Sequence, residues 1–304
     1  MGGAGFIGSH LVQRLLSNSN DVRVFTRSEA SLVSLGSALD DVEVVLGDFS
    51  DDIAVHGALR GIDKVVHLIS AIGPGCTISD GKTELESTII PTVRLMENCS
   101  KAGVRKLVFV SSGGTVYGNV DATPILESVH LEPCSIYGHS KKVTESYVRF
   151  YANMLKIDAS ILRVSNPFGP GQNPSRRQGI VAVAIDCLLN NKVFDIIGDG
   201  SAVRDYVFVE DVAEGIVRAL DAGCTGTINI SSGVGLSVLQ MLELVESVTG
   251  LLLEKRSIPA RATDVASSVL SNKLALSILG WTPTTEIRVG LGKTWDWIQN
   301  QRVT

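Results

Sequence analysis

The chain has 304 residues, of which 44% are hydrophobic and 19% charged, and its formal net charge at pH 7 is −5. This composition is typical of a globular protein with a sizeable core, and it excludes a membrane protein because no run approaches the roughly 18 apolar residues that a span requires. Nucleic acid is also excluded as a partner, because the lysines and arginines are scattered and form no basic stripe.

The chain opens with the glycine-rich stretch MGGAGFIGSH, which leads into a helix predicted over 6–17. The spacing of Gly2, Gly5 and Gly8 is typical of the first strand-to-helix turn of a dinucleotide-binding fold, where backbone approaches a pyrophosphate. Such a turn follows an apolar strand, but only Met1 precedes it here. Six buried apolar side chains contribute about 10 kcal/mol, comparable with a whole domain's net stability. We therefore expect a longer form that supplies this strand and binds the cofactor.

Short β-branched runs alternate with longer amphipathic stretches from residue 6 to about 165. Helices are predicted at 6–17, 52–60, 82–102 and 136–156, and strands at 21–26, 42–46, 64–69, 105–112 and 158–164. The strands are apolar almost throughout, as expected for strands covered on both faces. The pattern predicts an α/β fold with a doubly wound parallel sheet whose first strand is missing.

Another candidate functional segment is SIYGHSKKVTES (135–146), which carries Tyr137 and Lys141 on a predicted helix. Residues four apart share one helix face, so the two side chains should lie close together. A tyrosine that acts as a base near pH 7 needs its pKa lowered by roughly 3 units, and a nearby ammonium and a cationic nicotinamide ring have the sign to lower it. Taken alone, the pair is equally consistent with a surface Tyr and Lys on an amphipathic helix.

Other polar segments fall at the same predicted edge of the sheet. VFVSSGGTVYG (108–118), GDF (47–49) and HLISA (67–71) each lie at or just after the carboxyl end of a predicted strand. Open α/β sheets bind ligands at this edge. The coincidence of these segments with the glycine turn favours a functional site over solvated turns.

After 166–179 the pattern changes, because helices dominate, strands shorten, and Gly and Pro become frequent. This change predicts a dinucleotide-binding domain over 1–165 and a smaller α+β substrate-binding lobe over 166–304, parts of which return to the first domain. The five cysteines are widely spaced and lack neighbouring histidines, which argues against a disulfide framework or a metal site and favours a reducing, cytoplasmic location.

Together these motifs resemble the NAD-dependent epimerase/dehydratase family of extended short-chain dehydrogenases/reductases, and within it the UDP-glucose 4-epimerases. The resemblance implies a catalytic pair, Tyr137 and Lys141, with Lys141 also holding the nicotinamide ribose. It implies that the cofactor is bound by the glycine turn and three strand ends: Gly2, Gly5, Phe6, Ile7, Gly8, Arg27, Asp48, Phe49, Leu68, Ile69, Ser70 and Ala71. In the second lobe it implies diphosphate and nucleoside contacts by Asn166, Arg204, Arg261 and Asp264. The alternative for each arginine is a surface ion pair.

The sequence departs from the family pattern in four ways. Gly113 replaces the usual catalytic Ser or Thr, so we expect Ser112 to supply the hydroxyl, with Thr115 as the alternative. Gly114 and Thr115 replace the Asp-Glu pair of the dehydratases, which argues against elimination of water. Thr26 followed by Arg27 replaces the acid that favours NAD, which leaves NADP open. Thr88 replaces an Asn, and the sequence suggests no role for it.

The implied function is 4-epimerisation of a UDP-hexose or UDP-N-acetylhexosamine through a transient 4-keto sugar with tightly bound NAD, in carbohydrate metabolism such as polysaccharide biosynthesis. One alternative is an NAD(P)H-dependent 4-ketoreductase of a nucleotide deoxysugar, which would explain Arg27. Another is a non-catalytic, cofactor-sensing protein on a reductase fold. The family also implies a homodimer joined through the helices at 82–102 and 136–156.

Overall fold

The computed structural model describes residues 1–73, 76, 80–176, 179–260 and 264–303. The elements of the first half are α1 (Phe6–Ser17), β1 (Arg23–Thr26), β2 (Glu43–Leu46), α2 (Asp52–Ala58), β3 (Lys64–His67), α3 (Gly81–Glu84), α4 (Ile90–Ala102), β4 (Lys106–Ser112), α5 (Gly113–Val116), α6 (Ile136–Leu155) and β5 (Asp158–Val164). A 3₁₀ segment, Glu29–Asp41, separates β1 from β2, and a π-helical turn, Leu85–Ile89, joins α3 to α4.

The elements of the second half are shorter and more mixed. They are β6 (Asn166–Phe168), a 3₁₀ turn (Pro174–Arg176), α7 (Ile180–Leu189), β7 (Phe194–Ile197), β8 (Val203–Phe208), α8 (Val209–Asp221), β9 (Gly226–Ile230), β10 (Gly235–Ser237), α9 (Val238–Thr249), β11 (Lys255–Ile258), β12 (Ser267–Ser268), α10 (Lys273–Leu279) and α11 (Ile287–Val303). None of the helices in the described part of the chain is both long and apolar enough to cross a membrane.

The main sheet has the order β3-β4-β5-β9, and all its strands are parallel. One face is covered by α4 and α6, whose Leu95 and Val148 lie in one core cluster with Phe109 of β4. The other face is covered by α1 and α8, whose Leu11 and Ile216 lie in a second cluster. Helices therefore cover both faces, and the predicted doubly wound α/β fold is confirmed.

Some second-half segments lie in the main sheet, since β9 pairs with β5 and α8 packs on α1. The remaining strands form two small sheets. In one, β8 lies between β10 and β12 and also pairs with β6, and in the other β7 pairs with β11. The crossing from β5 to β6 at Ser165 therefore carries the chain from the main sheet into the smaller lobe.

Strands β1 and β2 pair with each other outside the main sheet. The sequence predicts that both are covered on both faces, and for β2 this is wrong. Both strands are parallel, but β2 has exposed ends at Glu43 and Leu46 and only partly buried residues between them. β2 is an edge strand of a two-stranded sheet and its faces are only partly covered, whereas Val24 and Phe25 of β1 are buried. A run of apolar residues in the sequence could not reveal this difference.

A cleft separates β1 from β3, at the place where a doubly wound sheet has a central strand. The Met1 amino group donates to the Val66 carbonyl at 2.9 Å, and the Leu68 N–H donates to the Met1 carbonyl at 3.1 Å. On the other side, the Gly2 N–H donates to the Phe25 carbonyl at 3.0 Å. Two residues of backbone thus bridge the two sheets at one end of the cleft.

Beyond this bridge the cleft is a cavity of 650 Å³. Its apolar lining includes Leu11, Val12, Leu15, Val24, Leu59 and Val65. Burial here lowers the pKa of the Met1 amino group to about 6. The cavity therefore lies between two strand edges that face one another, and charged side chains, including Asp21 and Lys64, line it beside the apolar ones.

Candidate active site

The glycine turn packs directly against the start of α1. Gly2 has a φ of +80°, which favours glycine, and its carbonyl accepts a hydrogen bond of 3.1 Å from the Gly5 N–H. Gly5 is the N-cap of α1 and provides no side-chain cap, so the first N–H groups of the helix are available to a ligand. A helix N-terminus of this kind is a binding site for a phosphate. The turn therefore fits the pyrophosphate of a dinucleotide.

We expect Gly8→Ala to weaken dinucleotide binding by at least about tenfold. A Cβ at this position would lie 2.3 Å from the Gly2 carbonyl oxygen and 2.7 Å from backbone atoms of Gly3, so the turn would have to move away from α1. Calorimetric titration with NAD measures the loss. The matched control is Gly57→Ala in α2, where a Cβ meets no atom within 4 Å. Equal affinities of the two variants would contradict the role of the turn.

The ends of β1, β2 and β3 continue this edge. Asp48 is exposed after β2, and hydrogen bonds from Ser50 and, to a lesser degree, the charge of Arg27 lower the pKa of its carboxyl group. The Phe49 ring is buried and lies 5.0 Å from the His67 ring, so its side chain belongs to the core. A Cβ on Gly2 would approach Leu68 and Ile69 to 3.5 and 3.2 Å. The glycine turn and the β3 end therefore meet.

The helix α6 presents the predicted catalytic pair at the same edge. Ser135 caps the helix, because its side chain accepts a hydrogen bond from the Gly138 N–H. The Lys141 ammonium is buried and lies 5.6 Å from the centre of the Tyr137 ring and 5.2 Å from the centre of the Phe109 ring. The pair is thus held inside the site and is not a pair of surface residues.

Burial shifts the pKa values of both Tyr137 and Lys141. It raises that of Tyr137 to about 12, and a hydrogen bond from Ser112 offsets only part of that rise. Burial also lowers the pKa of Lys141 to about 8, against the charges of Glu84 and Glu145, which raise it. The lowering of the tyrosine pKa by an ammonium and a cationic nicotinamide ring together stays a prediction, and in the protein alone desolvation of the phenolate opposes it.

The expected exchange of the catalytic hydroxyl has a steric reason. A Cβ at Gly113 would lie 2.3 Å from a methyl carbon of Leu270 and 2.9 Å from the Arg163 carbonyl oxygen, so Ser or Thr does not fit there. The Thr115 hydroxyl donates to the Ser112 hydroxyl at 2.9 Å, and Ser112 donates to Tyr137. The two candidate hydroxyls therefore act in series, with Ser112 next to the phenol.

The second lobe approaches this site through Asn166. Its amide donates to the Asp205 carbonyl at 3.0 Å, and its side chain lies 3.4 Å from the position that a Cβ on Gly114 would take. Arg204, which precedes Asp205 on β8, is partly buried and donates to the Val203 carbonyl at 2.8 Å. Arg204 also interacts electrostatically with Asp264. The fourth expected substrate residue, Arg261, lies outside the described residues.

Sequence reasoning missed two buried acids behind the catalytic pair. Glu145 is 0% exposed and forms an ion pair of 2.7 Å with Arg163 of β5, and it also accepts a hydrogen bond of 2.6 Å from Ser111. Glu84 is buried against α6 on the other side. The sequence around each of these acids is typical of the surface of an amphipathic helix. The feature that could have indicated a buried polar cluster is the four-residue spacing of Glu84, Thr88 and Thr92.

Comparisons with known proteins agree with this geometry. A family model described as the NAD dependent epimerase/dehydratase family matches residues 1–231. The UDP-glucose 4-epimerase of Mycolicibacterium smegmatis is 35% identical over 305 residues, covering 99% of this chain and 97% of that protein. The crystal structure of UDP-glucose 4-epimerase from Thermotoga maritima with UDP-glucose has a TM-score of 0.93 and 32% identity, covering 99% of this chain and 98% of that chain.

The UDP-glucose 4-epimerase of Thermus thermophilus in complex with NAD has a TM-score of 0.91 and 30% identity, covering 98% of this chain and 97% of that chain. The similarity therefore extends beyond the dinucleotide-binding half into the smaller lobe. Because the family model spans most of the sequence and these relatives match it almost end to end, the chain belongs to the NAD-dependent epimerase/dehydratase family.

Proposed function

We propose that the protein is a nucleotide-sugar 4-epimerase that acts on a UDP-hexose or UDP-N-acetylhexosamine through a transient 4-keto sugar and uses tightly bound NAD. The observation that supports this most directly is the line of hydroxyls from Thr115 through Ser112 to Tyr137, set beside the buried Lys141 ammonium. NAD, when bound, accepts a hydride from C4 of the sugar and returns it. The protein then needs to move only one proton.

Tyr137 is the group that takes this proton from the sugar 4-hydroxyl and returns it. Ser112 donates a hydrogen bond to the phenol oxygen and so favours the phenolate. The Lys141 ammonium supplies positive charge from within the buried site. Because burial opposes the phenolate, Tyr137 needs positive charge nearby to act as a base, and a bound oxidised nicotinamide would add such charge to that of Lys141.

The smaller lobe holds the nucleotide and leaves the sugar free to turn. Asn166, Arg204 and Arg261 are the proposed diphosphate ligands, because guanidinium and amide donors suit two negatively charged phosphates. Asp264 is the proposed ligand of the nucleoside ribose. Binding energy placed on the nucleotide allows the 4-keto sugar to rotate about its diphosphate and present its opposite face.

Two observations favour this chemistry over the alternatives. The UDP-glucose 4-epimerase of Thermus thermophilus, which matches 98% of this chain, is in complex with NAD, and this supports NAD over NADP. A dehydratase needs two further proton-transfer groups, whereas Gly114 and Thr115 stand at the corresponding positions. A nicotinamide-dependent epimerase fits both observations.

The deciding experiment incubates the protein with UDP-glucose, or with its N-acetyl form, without added dinucleotide. We expect interconversion with the galacto epimer, and release of NAD on denaturation as detected by mass spectrometry. Stoichiometric consumption of added NADPH would instead identify a 4-ketoreductase. Binding of UDP-sugars without any turnover would identify a non-catalytic, cofactor-sensing protein.

We also propose a homodimer through α4 and α6, which pack side by side. Along α6, Tyr147, Phe150 and Met154 form one exposed apolar stripe at helical spacing, and Ile90 of α4 is also exposed. We expect Phe150→Glu to dissociate the dimer in sedimentation velocity, whereas Val33→Glu, also at an exposed apolar position, leaves it intact. A wild-type monomer would contradict this proposal.

The five free thiols support the proposed cytoplasmic location.

A further inference from the structure

Glu84 is a buried acid that neither the sequence motifs nor the proposed mechanism uses. It is 1% exposed, and its two carboxylate oxygens accept hydrogen bonds of 2.7 Å from the Ser140 hydroxyl and 3.0 Å from the Thr88 hydroxyl. Within the described residues it takes part in no salt bridge. Burial of a carboxylate without a cationic partner in contact is costly, so this position calls for a functional reason.

The local backbone explains how Glu84 reaches the site. Glu84 ends α3 and is followed at once by the π-helical turn, a feature that often marks functional sites. Thr88 lies in that turn, and its hydroxyl oxygen also accepts a hydrogen bond of 3.1 Å from the Ala71 N–H at the end of the β3 segment. Thr88, which stands where the family has Asn, therefore ties Glu84 to the strand end expected to lie along the cofactor.

The contact with Ser140 places the Glu84 charge against the catalytic face of α6. Ser140 lies between Tyr137 and Lys141 in the chain, and the charge of Glu84 raises the pKa of both of these residues. The titratable groups around this pair come from α6, β3, and the segment between β3 and α3, and they are Tyr137, Lys141, Glu145, His67, Cys76 and Asp80.

Among the described groups around this pair, Glu84 has no salt-bridge partner, and its charge acts on both Tyr137 and Lys141. The charge of Glu145 is offset by the buried guanidinium of Arg163. Burial lowers the pKa of His67 well below its usual value, so that ring is neutral. The effect of Cys76 is confined to Tyr137. The charge of Glu84 therefore shifts the pKa values of Tyr137 and Lys141 in the same direction.

We propose that Glu84 is a positioning residue whose buried negative charge, held by Ser140 and Thr88, sets the pH range over which Tyr137 and Lys141 act together. The carboxylate favours the ammonium of Lys141 and disfavours the phenolate of Tyr137. This inference rests on the proposed epimerase function, since it concerns the catalytic pair of that reaction. It also gives Thr88 a role in place of the Asn of the family.

The first test is the pH dependence of kcat for epimerisation in Glu84→Gln. The wild-type profile should rise and then fall with pH, and the pKa values of Tyr137 and Lys141 set its two limbs. Loss of the carboxylate lowers both pKa values, so both limbs should move to lower pH by about 1 unit. Ser140→Ala is the matched control, because it removes one hydrogen bond and keeps the charge. Glu84→Asp, which also keeps the charge, should retain the wild-type limbs.

The second test measures Lys141 without any turnover. In protein labelled at the lysine ε-carbon, Lys141→Met identifies the Lys141 resonance, which should titrate near pH 8 in the wild-type chain and lower in Glu84→Gln. A wild-type titration below about pH 7 would overturn the proposal even if Glu84→Gln did not fold. Unmoved limbs and an unmoved lysine titration in a folded Glu84→Gln would overturn it as well. An inactive wild-type chain would contradict the epimerase function, while the lysine titration would still decide the role of Glu84.

Discussion

Tyr137→Phe is expected to lower kcat for epimerisation by about 10²–10⁴-fold, because the variant loses the one group placed to move the proton of the sugar 4-hydroxyl. The ring keeps its contact with the Lys141 ammonium, and among the described residues the hydrogen bond that is lost is the one from Ser112. The thermal midpoint should therefore change little. Initial rates of interconversion of the UDP-sugar epimers, at saturating substrate, measure the effect.

The control for this substitution is Tyr147→Phe, which removes a hydroxyl from an exposed tyrosine on the same helix. It should retain wild-type turnover. The KM of Tyr137→Phe should stay close to the wild-type value, since the nucleotide is held by the smaller lobe. Normal interconversion by Tyr137→Phe would contradict the assignment of this residue, whatever the structural resemblance.

The cleft between β1 and β3 leads to the second large effect. We expect a chain extended before Met1 by six residues rich in Val and Ile to be more stable than the 304-residue chain by on the order of 5 kcal/mol. The added strand would bury apolar side chains at about 1.5–3 kcal/mol each and pair with two facing strand edges, against a backbone ordering cost of about 1–2 kcal/mol per residue. Denaturant unfolding measures the difference.

A six-residue Gly-Ser extension is the matched control, because it has the same length and cannot fill an apolar cavity. It should leave the free energy of unfolding unchanged or slightly lower. The apolar extension should also tighten dinucleotide binding, because Met1 and Gly2 connect this cleft to the glycine turn. Equal stability of the two extended chains would show that the cavity does not accept a strand.

Several parts of the fold could be read from local patterns. The observed strands β4 and β5 and the helices α1 and α6 lie within a residue of their predicted bounds, because each combines a strong apolar pattern with clear capping or turn residues. The segment between β1 and β2 was not predicted, because its 3₁₀ turns are interrupted at Gly36 and show no regular period. The edge position of β2 was missed for a different reason, since pairing partners are set by the whole sheet.

Some residues of the candidate site could likewise be identified from local sequence patterns, and others could not. Short motifs were sufficient to find Tyr137 and Lys141, and the spacing of the opening glycines was sufficient to identify the turn. The choice of Ser112 over the usual position could be guessed, but its reason is the Leu270 side chain, which lies far away in the chain and fills the space at Gly113. Glu84 was missed because no motif includes it, and it acts through a contact with another helix.

The fold class, the family and the proposed catalytic pair follow from the sequence, because they depend on local periodicity and on short segments whose residues act together. The electrostatics of that pair depend on tertiary packing. The pKa of Tyr137 is raised and that of Lys141 lowered by burial, and the charge of Glu84 reaches both from a separate helix. Desolvation and long-range charge depend on what is packed around a group, and no local pattern in a chain records that packing.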